Sequence, residues 1–158
     1  RAGMKLDIRI AHPDDRLNLS ALKRRASLVG ETGDVLQSLL EDPALTDIDE
    51  ELLANNEVIV AEHGETIVGF ISLAAQDGND AEIADMFVEP SQWRKGIGRE
   101  LMFAAEREAA AWGATRLHVV GNPNALAFYT ALGFTPVGEQ RTQLGPVAPV
   151  LAKTIAPR

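Results

Sequence analysis

The sequence predicts a mixed α/β fold, in which helices cover both faces of one mixed sheet. Segments with helical patterning alternate with β segments along the chain, residues 58–61 and 66–74 form a hairpin pattern, and a strand–loop–helix–strand order predicts a crossover. With 158 residues, 46% of them hydrophobic, the chain can build one domain with a substantial core. We expect this domain over residues 4–158 and interpret residues 1–3, ahead of Met4, as a cloning remnant.

The N-terminal third predicts one strand and three helices. The strand covers residues 6–11 and ends at His12-Pro13-Asp14-Asp15, which also offers a helix cap. An amphipathic helix follows to about residue 29, and four leucines are its expected core positions: Leu17, Leu19, Leu22 and Leu28. Asp34 is expected to cap a second helix over residues 35–40, and an acidic helix recurs near residues 48–54.

The remaining elements follow from turn signals and periodicity. The hairpin turns at residues 62–65, and a further turn at 77–80 leads into a strand over about 81–88. A helix runs from Gly98 to a stop at Gly113, followed by a strand at 117–120 and a short helix around Tyr129. The glycine- and proline-rich C-terminal part predicts two strands around a loop, the last near residues 150–155.

A basic loop with two glycines follows the strand that ends near residue 88. Gly96 and Gly98 carry no Cβ, so backbone N–H groups can approach an anion, and the helix start adds unpaired donors and its positive dipole end. Three basic side chains surround this turn: Arg94, Lys95 and Arg99. Neither Gly-x-Gly-x-x-Gly nor a Walker loop fits, because position 101 is Leu and Gly-Lys-Ser/Thr is missing. The loop predicts an anion site; a turn that only packs a strand on a helix is the alternative.

A second motif at residues 119–134 reads as a strand, a capped helix and a glycine stop. Asn122 is a good N-cap with Pro123 at the first helical position, and Gly133 fits the C-terminal cap. The second motif of the GNAT superfamily, the acetyl-CoA-dependent N-acyltransferases, is similar: Asn-x-x-Ala-x-x-Phe-Tyr-x-x-x-Gly-Phe. The matching residues are Asn122, Ala125, Phe128, Tyr129, Gly133 and Phe134.

The basic loop resembles the same family. Its phosphate loop reads Gln/Arg-x-x-Gly-x-Gly/Ala, so Gly96 and Gly98 take the glycine positions, while Trp93 stands where Gln or Arg is usual. Arg94 is expected to supply the charge nearby. The resemblance extends over about residues 57–135.

This resemblance implies a GNAT-like three-layer α-β-α fold, with a mixed, mostly antiparallel sheet of six or seven strands that splays near the cofactor site. It implies acetyl-CoA as co-substrate, no metal, and direct attack by a primary amine in a ternary complex. The pantetheine arm is expected along the strand before the loop, and the pyrophosphate on the loop. The expected cofactor-binding residues are Met86, Phe87, Val88, Trp93, Arg94, Lys95, Gly96, Ile97, Gly98, Arg99, Asn122, Phe128 and Tyr129.

The charge distribution bears on partners. The net charge of −8 fits nucleic acid poorly, and residues 26–93 contain sixteen Asp and Glu but no Lys or Arg. This asymmetry favours a cationic acceptor; an ordinary solvated acidic surface is the alternative. No cysteine, bilayer-length apolar run or secretory signal occurs, so we expect a cytoplasmic protein that binds neither nucleic acid nor membrane. The sequence leaves open whether the chain forms a homodimer.

The candidate catalytic residues answer one chemical problem: an amine of pKa about 10 is almost fully protonated at neutral pH and must lose a proton before it attacks. Glu82 is the first candidate base and Asp85 the second; their odd spacing puts them on opposite sides of a regular strand, unless a bulge intervenes. A water chain is the alternative, and His118 is a weaker candidate. Tyr129 falls on the family's motif tyrosine and is expected to protonate the leaving thiolate, although spacing alone favours a core residue.

Two functions of different class therefore remain. The first is an N-acetyltransferase acting on a small amine, an antibiotic, or the N-terminus or lysine of a peptide or protein. The second is a catalytically silent acyl-CoA-binding or sensor module. Tyr129 favours the enzyme, because a binding module needs no acid for a leaving group.

Overall fold

The computed structural model describes residues 5–121, 125–142 and 147–155. The strands are β1 Asp7–Ile10, β2 Val58–His63, β3 Thr66–Ala75, β4 Asp80–Val88, β5 Arg116–Val120, β6 Thr135–Arg141 and β7 Val147–Thr154. The helices are α1 Arg16–Gly30, α2 Gly33–Glu41, α3 Glu50–Ala54, α4 Ile97–Ala111 and α5 Leu126–Ala131. The predicted mixed α/β class is confirmed. Within the described ranges, no helix combines the length and apolarity needed to cross a bilayer.

The seven strands form one sheet in the order β1-β2-β3-β4-β5-β7-β6. β4 and β5 are parallel, as a helical crossover requires, whereas β1–β2, β2–β3, β5–β7 and β6–β7 are antiparallel. The sheet is therefore mixed and mostly antiparallel, as expected. The chain divides into two compact units, and both β3 and β4 contribute residues to each of them.

The first unit comprises residues 1–72 and 85–105. Leucines of α1 pack with apolar residues of β2 and β3 in one core cluster: Leu19, Leu22, Val58, Val60 and Phe70. Ile97 and Leu101 of α4 approach the opposite face of β3, at Gly69. The central strands are thus buried on both faces, which explains why β3 reads as a nearly continuous apolar run rather than an alternating one.

The second unit comprises residues 73–84 and 106–158. Ala81 and Ile83 of β4 pair with Leu117 and Val119 of β5, and all four side chains are buried. On the same face of the neighbouring strand β7, Lys153 forms a 2.9 Å ion pair with Glu106 of α4. This face of the unit is therefore the one that α4 covers.

β4 contains an irregularity that decides where its side chains point. The amide of Glu89 donates to the carbonyl of Val68 at 2.8 Å. The amide of Gln76 donates to the carbonyl of Asp80 at 3.0 Å. Between these two bonds β3 advances eight residues and β4 nine, so β4 carries one extra residue, a β-bulge.

The bulge reverses the alternation of side chains along β4. Before it, Ile83 shares the face that α4 covers, so Glu82 points to the opposite side. After it, Asp85 reaches α1 through Lys23, again on the side away from α4. Glu82 and Asp85 therefore leave β4 on the same side, whereas a regular strand would have separated them.

Two sequence expectations need correction. Leu17 is not a core residue: it is 77% exposed, and the buried stripe of α1 runs instead through Leu19, Leu22 and Ala26. Thr32, not Asp34, occupies the N-cap of α2, which places Asp34 in its first turn. The expected cap at residues 122 and 123 lies outside the described residues, but Gly133 has the positive φ of a helix stop, +97°.

Candidate functional site

The loop between β4 and α4 has the backbone of an anion-binding turn. Arg94 and Gly96 both adopt positive φ, at +67° and +84°, on either side of Lys95. Positive-φ residues in a turn favour concave arrangements of N–H groups that bind anions. The first backbone hydrogen bond of α4 joins Glu100 N to Gly96 O. The N–H groups of the first turn before Glu100 therefore have no acceptor inside the helix.

The three cations of this loop are exposed and lack anionic partners. Within the described part of the chain, no carboxylate oxygen lies within 4.0 Å of the nitrogens of Arg94, Lys95 or Arg99. Lys95 donates to the amide oxygen of Gln92, and Arg99 lies over the ring of Phe103. By contrast, Arg9, Lys23 and Arg25 of the first unit each pair with a carboxylate. The loop therefore holds positive charge that the protein itself does not neutralise.

Trp93 ties the loop back to its strand. Its indole Nε1 donates to the carbonyl oxygen of Val88 at 2.8 Å, across the turn. Glu89 bonds to β3, so regular alternation directs the backbone of Phe87 toward β3 as well, and that of Met86 and Val88 toward the other edge. Pairing with β5 has ended by then, since its last partner on β4 is Ile83. Met86 and Val88, rather than Phe87, therefore offer backbone groups on this edge.

Gly69 positions the helix that carries the loop. A Cβ at this residue would lie 3.0 Å from Leu101 Cδ1, 3.1 Å from Ile97 Cγ2 and 3.2 Å from the carbonyl oxygen of Phe87. The missing side chain lets α4 approach β3 closely. The side chain of Ile97 is buried in this contact, so only its backbone is available to a ligand.

Asp85 lies in a buried ion pair. Its Oδ1 accepts from Lys23 Nζ at 2.8 Å, and its Oδ2 accepts from the Ser72 hydroxyl at 2.6 Å. Lys23 also lies over the ring of Phe87, 5.7 Å from the centroid. Both carboxylate oxygens are therefore engaged by donors of the protein itself. Asp85 therefore has a structural explanation that needs no catalysis.

Glu82 is more accessible and faces His118. Its Oε2 lies 4.0 Å from His118 Nε2, and Gln76 Nε2 donates to its Oε1 at a long 3.4 Å. The side chain of Glu82 is 30% exposed and that of His118 is 20% exposed. The Nδ1 atom of His118 is buried and has no hydrogen-bond partner among the described residues. Glu82 thus has an oxygen without a hydrogen-bond donor among the described residues, whereas both oxygens of Asp85 are occupied.

Tyr129 is a buried member of an aromatic cluster in the second unit. Its ring contacts Phe128 and Phe134 edge-on, with centroids 5.3 Å and 5.5 Å apart. Burial raises the pKa of the Tyr129 phenol above its ordinary value, so the hydroxyl stays protonated at neutral pH. Asn122, another expected cofactor contact, lies outside the described residues.

The structure thus groups the expected loop residues with the end of β4, and it adds Lys23 and Ser72, which the sequence interpretation missed. One signal could have found Lys23: it follows Leu19 by four residues and therefore lies on the buried side of α1. No sequence signal pointed to Ser72, which sits in the apolar run of β3.

Comparison with known proteins places these features in a family. The family model described as "Acetyltransferase (GNAT) family" matches residues 28–134. The uncharacterised N-acetyltransferase YvbK of Bacillus subtilis is 32% identical over 117 residues, covering 71% of this chain and 75% of YvbK. An uncharacterised N-acetyltransferase of Mycobacterium bovis is 31% identical over 91 residues, covering 56% of this chain and 58% of that relative. The chain therefore matches less than two thirds of the mycobacterial protein.

Solved structures agree on the fold. The crystal structure of PaiA N-acetyltransferase from Thermoplasma acidophilum in complex with coenzyme A superposes with a TM-score of 0.74 and 21% sequence identity. The match covers 96% of this chain and 99% of that one. At this identity the likeness establishes the three-layer fold, while the chemistry has to be argued from the residues.

Proposed function

Because the chain belongs to the acetyltransferase (GNAT) family, we propose that it transfers the acetyl group of acetyl-CoA to a primary amine. The observation that carries the proposal is the loop of Arg94, Lys95 and Gly96. It combines two positive-φ residues, unneutralised cations and the start of a 15-residue helix. These features suit a pyrophosphate, which needs several N–H donors and positive charge at close range.

The strand before the loop supports the same ligand. Met86 and Val88 lie on β4 past Ile83, the last residue of that strand to pair with β5. Their backbone groups would pair with the amides of the pantetheine arm, which is strand addition by a small molecule. The Val88 carbonyl already accepts from Trp93, so Met86 is left as the main pairing residue. The related structure from T. acidophilum holds coenzyme A, in line with this assignment.

The chemistry needs a base for the amine and an acid for the leaving thiolate. We assign the base to Glu82 rather than Asp85, because Asp85 is already bound by Lys23 and Ser72 while Glu82 is half-buried and accessible. Tyr129 is the proposed acid, since burial keeps its hydroxyl protonated. These roles rest on the family motif and on local environment.

A cationic acceptor is the proposed second substrate. Residues 41–51 contain six exposed Asp and Glu side chains, and within the described chain Glu50 is the one among them that pairs with a cation, Arg16. Such a surface attracts ammonium groups by an interaction that salt screens. An amine panel tests this assignment: cationic acceptors should react fastest, and their rates should decline as salt rises. Faster reaction of neutral or anionic acceptors, without salt dependence, would contradict it.

Binding of acetyl-CoA is the first experiment. Calorimetry should give a dissociation constant between low micromolar and sub-millimolar. A hundredfold excess over that constant should stabilise the fold by about 2.7 kcal/mol. Absence of heat and of a thermal shift at millimolar acetyl-CoA would end the proposal. Binding without thiol release for any amine would favour a silent acyl-CoA-binding module.

Variants of the loop test how it holds the ligand. Gly98→Val should weaken binding more than Arg94→Ala, because an added side chain blocks backbone donors whereas salt screens an exposed charge. Arg107→Ala removes another exposed arginine of α4, about 12 Å along the helix from Arg99, and serves as the control. If Arg94→Ala proves worse than Gly98→Val at physiological salt, side-chain charge rather than backbone holds the phosphate.

A further inference from the structure

The side chains around the bulge of β4 fix where its extra residue lies. Ile83 still pairs in register with β5, and its side chain is on the face that α4 covers. In a regular strand the residue two positions later would return to that face. Asp85 instead accepts from Lys23 and Ser72 on the side of α1. The extra residue therefore lies between Ile83 and Asp85, directly before Met86.

The position of the bulge decides which neighbour the backbone of Met86 faces. Asp80 is hydrogen-bonded to β3 before the bulge, and Glu89 is hydrogen-bonded to β3 after it. Every second residue of an antiparallel strand bonds to the same neighbour, so even-numbered residues face β3 before the bulge and odd-numbered residues face it afterwards. If the bulge lay past Met86 instead, the N–H and carbonyl of Met86 would point to β3 and not to the free edge.

Two side chains that flank Met86 are held by α1. Asp85 is bonded to Lys23 Nζ at 2.8 Å and to the Ser72 hydroxyl at 2.6 Å, and the Lys23 Nζ also lies 5.7 Å from the ring centroid of Phe87. Moving the bulge past Met86 would turn Asp85 away from both donors. Each of these contacts would then be lost, and the Lys23 ammonium would stay behind without its carboxylate.

A buried ion pair is a poor device for stability alone. Replacing such a pair by apolar side chains of similar volume is often neutral or stabilising, and the best-attested use of a buried polar group is to fix register. We propose that Lys23, Asp85 and Ser72 form a positioning cluster, which holds the bulge ahead of Met86 and thereby keeps the Met86 backbone available to the pantetheine arm. This inference rests on the proposed function.

The test compares two ligands on the double variant Lys23→Met with Asp85→Leu. Acetyl-CoA reaches both the loop and the strand, whereas the nucleotide part of coenzyme A keeps the pyrophosphate, lacks the pantetheine arm and reaches the loop alone. We expect the dissociation constant of acetyl-CoA to rise about fivefold to thirtyfold, the equivalent of one or two hydrogen bonds. That of the nucleotide part should stay unchanged. A cluster that only supports the fold would change both constants alike or neither.

A matched control removes a second ion pair between α1 and the end of β4. Arg25→Met with Glu89→Gln deletes a pair whose arginine is 53% exposed, and both dissociation constants should equal those of the parent. Ser72→Ala covers a double variant that folds poorly, because it removes one donor to Asp85 and keeps the ion pair. It should weaken acetyl-CoA binding about twofold to fivefold and leave the nucleotide part unaffected.

Amide hydrogen exchange tests the register without any ligand. In the parent, the Phe87 amide faces β3 and should be protected, whereas the Met86 amide on the free edge should exchange fast. The difference between these two amides should diminish in the double variant, because the bulge is no longer confined to one position. A difference that stays as in the parent overturns the inference.

The ligand measurements separate this inference from the proposed function. Equal changes in affinity for the two ligands, or no change for either, overturn the positioning cluster while acetyl-CoA binding by the parent leaves the proposed function intact. A parent chain that binds neither ligand overturns both.

Discussion

Lys23→Met should be among the more destabilising single substitutions in α1. The lysine Nζ lies 2.8 Å from Asp85 Oδ1, and the two side chains are 19% and 9% exposed. Removing one member of a buried pair leaves the other charge uncompensated and costs about 3–5 kcal/mol. Ser72 still donates to Asp85, so we expect the lower end, about 3 kcal/mol. For a chain of this length that corresponds to a melting temperature lower by about 6–12 °C.

Calorimetry and urea denaturation measure this change, with Arg25→Met as the control on the same helix. Arg25 forms a bidentate pair with Glu89, but its side chain is 53% exposed, so its loss should cost less than about 1 kcal/mol. Combining Lys23→Met with Asp85→Leu removes both charges and should recover much of the loss. The reasoning is refuted if the two single variants are equally mild, or if the double variant is less stable than Lys23→Met.

Three further predictions concern the close approach of α4, the proposed acid and the acid stability of the fold. Gly69→Ala should lower the free energy of unfolding by about 1–3 kcal/mol through overpacking, whereas Gly138→Ala, which points into open space, should change it little; equal effects in urea would contradict this. Tyr129→Phe should reduce turnover about a hundredfold with unchanged affinity for acetyl-CoA, and a fully active, well-folded variant would make Tyr129 a core residue only. Arg9 lowers the pKa of Asp15, so the stability from Asp15 is present above its unfolded pKa of about 4 and is lost as pH falls through the lower folded value. The stability gap between the parent and Asp15→Asn, measured in urea, should therefore shrink from about pH 6 to about pH 2, and a constant gap would exclude the linkage.

The loop was predictable because its determinants are local. Turn glycines, a proline, basic residues and a helix start act within a few positions of each other, and the structure places Gly96 at the positive φ that the pattern requires. The strands of the hairpin were equally local. The prediction that Leu17 is a core residue was wrong for a different reason. Leu17 is apolar and helical, but only the three-dimensional packing decides which side of the first turn of α1 is covered.

The ion pair and the bulge depend on distant parts of the chain. Lys23 and Asp85 are separated by 62 positions, and no local rule pairs them. The bulge is detected only by comparing the number of residues that β3 and β4 span between two hydrogen bonds that join them. One extra residue in a strand has no distinctive sequence pattern of its own. The candidate carboxylates were therefore predictable from the sequence, but the side of β4 on which they point was not.

Trp93 gives the loop an optical property in addition to its chemical ones. The residue is 43% exposed, and its indole N–H is bonded to the Val88 carbonyl across the turn. Trp112, just past the far end of α4, is the second of the two tryptophans in the chain. Replacing Trp112 by Phe would leave a single intrinsic fluorophore at the junction of β4 and α4. Any ligand that changes the polarity around this ring or breaks its hydrogen bond would then change the emission, so the loop can be followed in real time without a label.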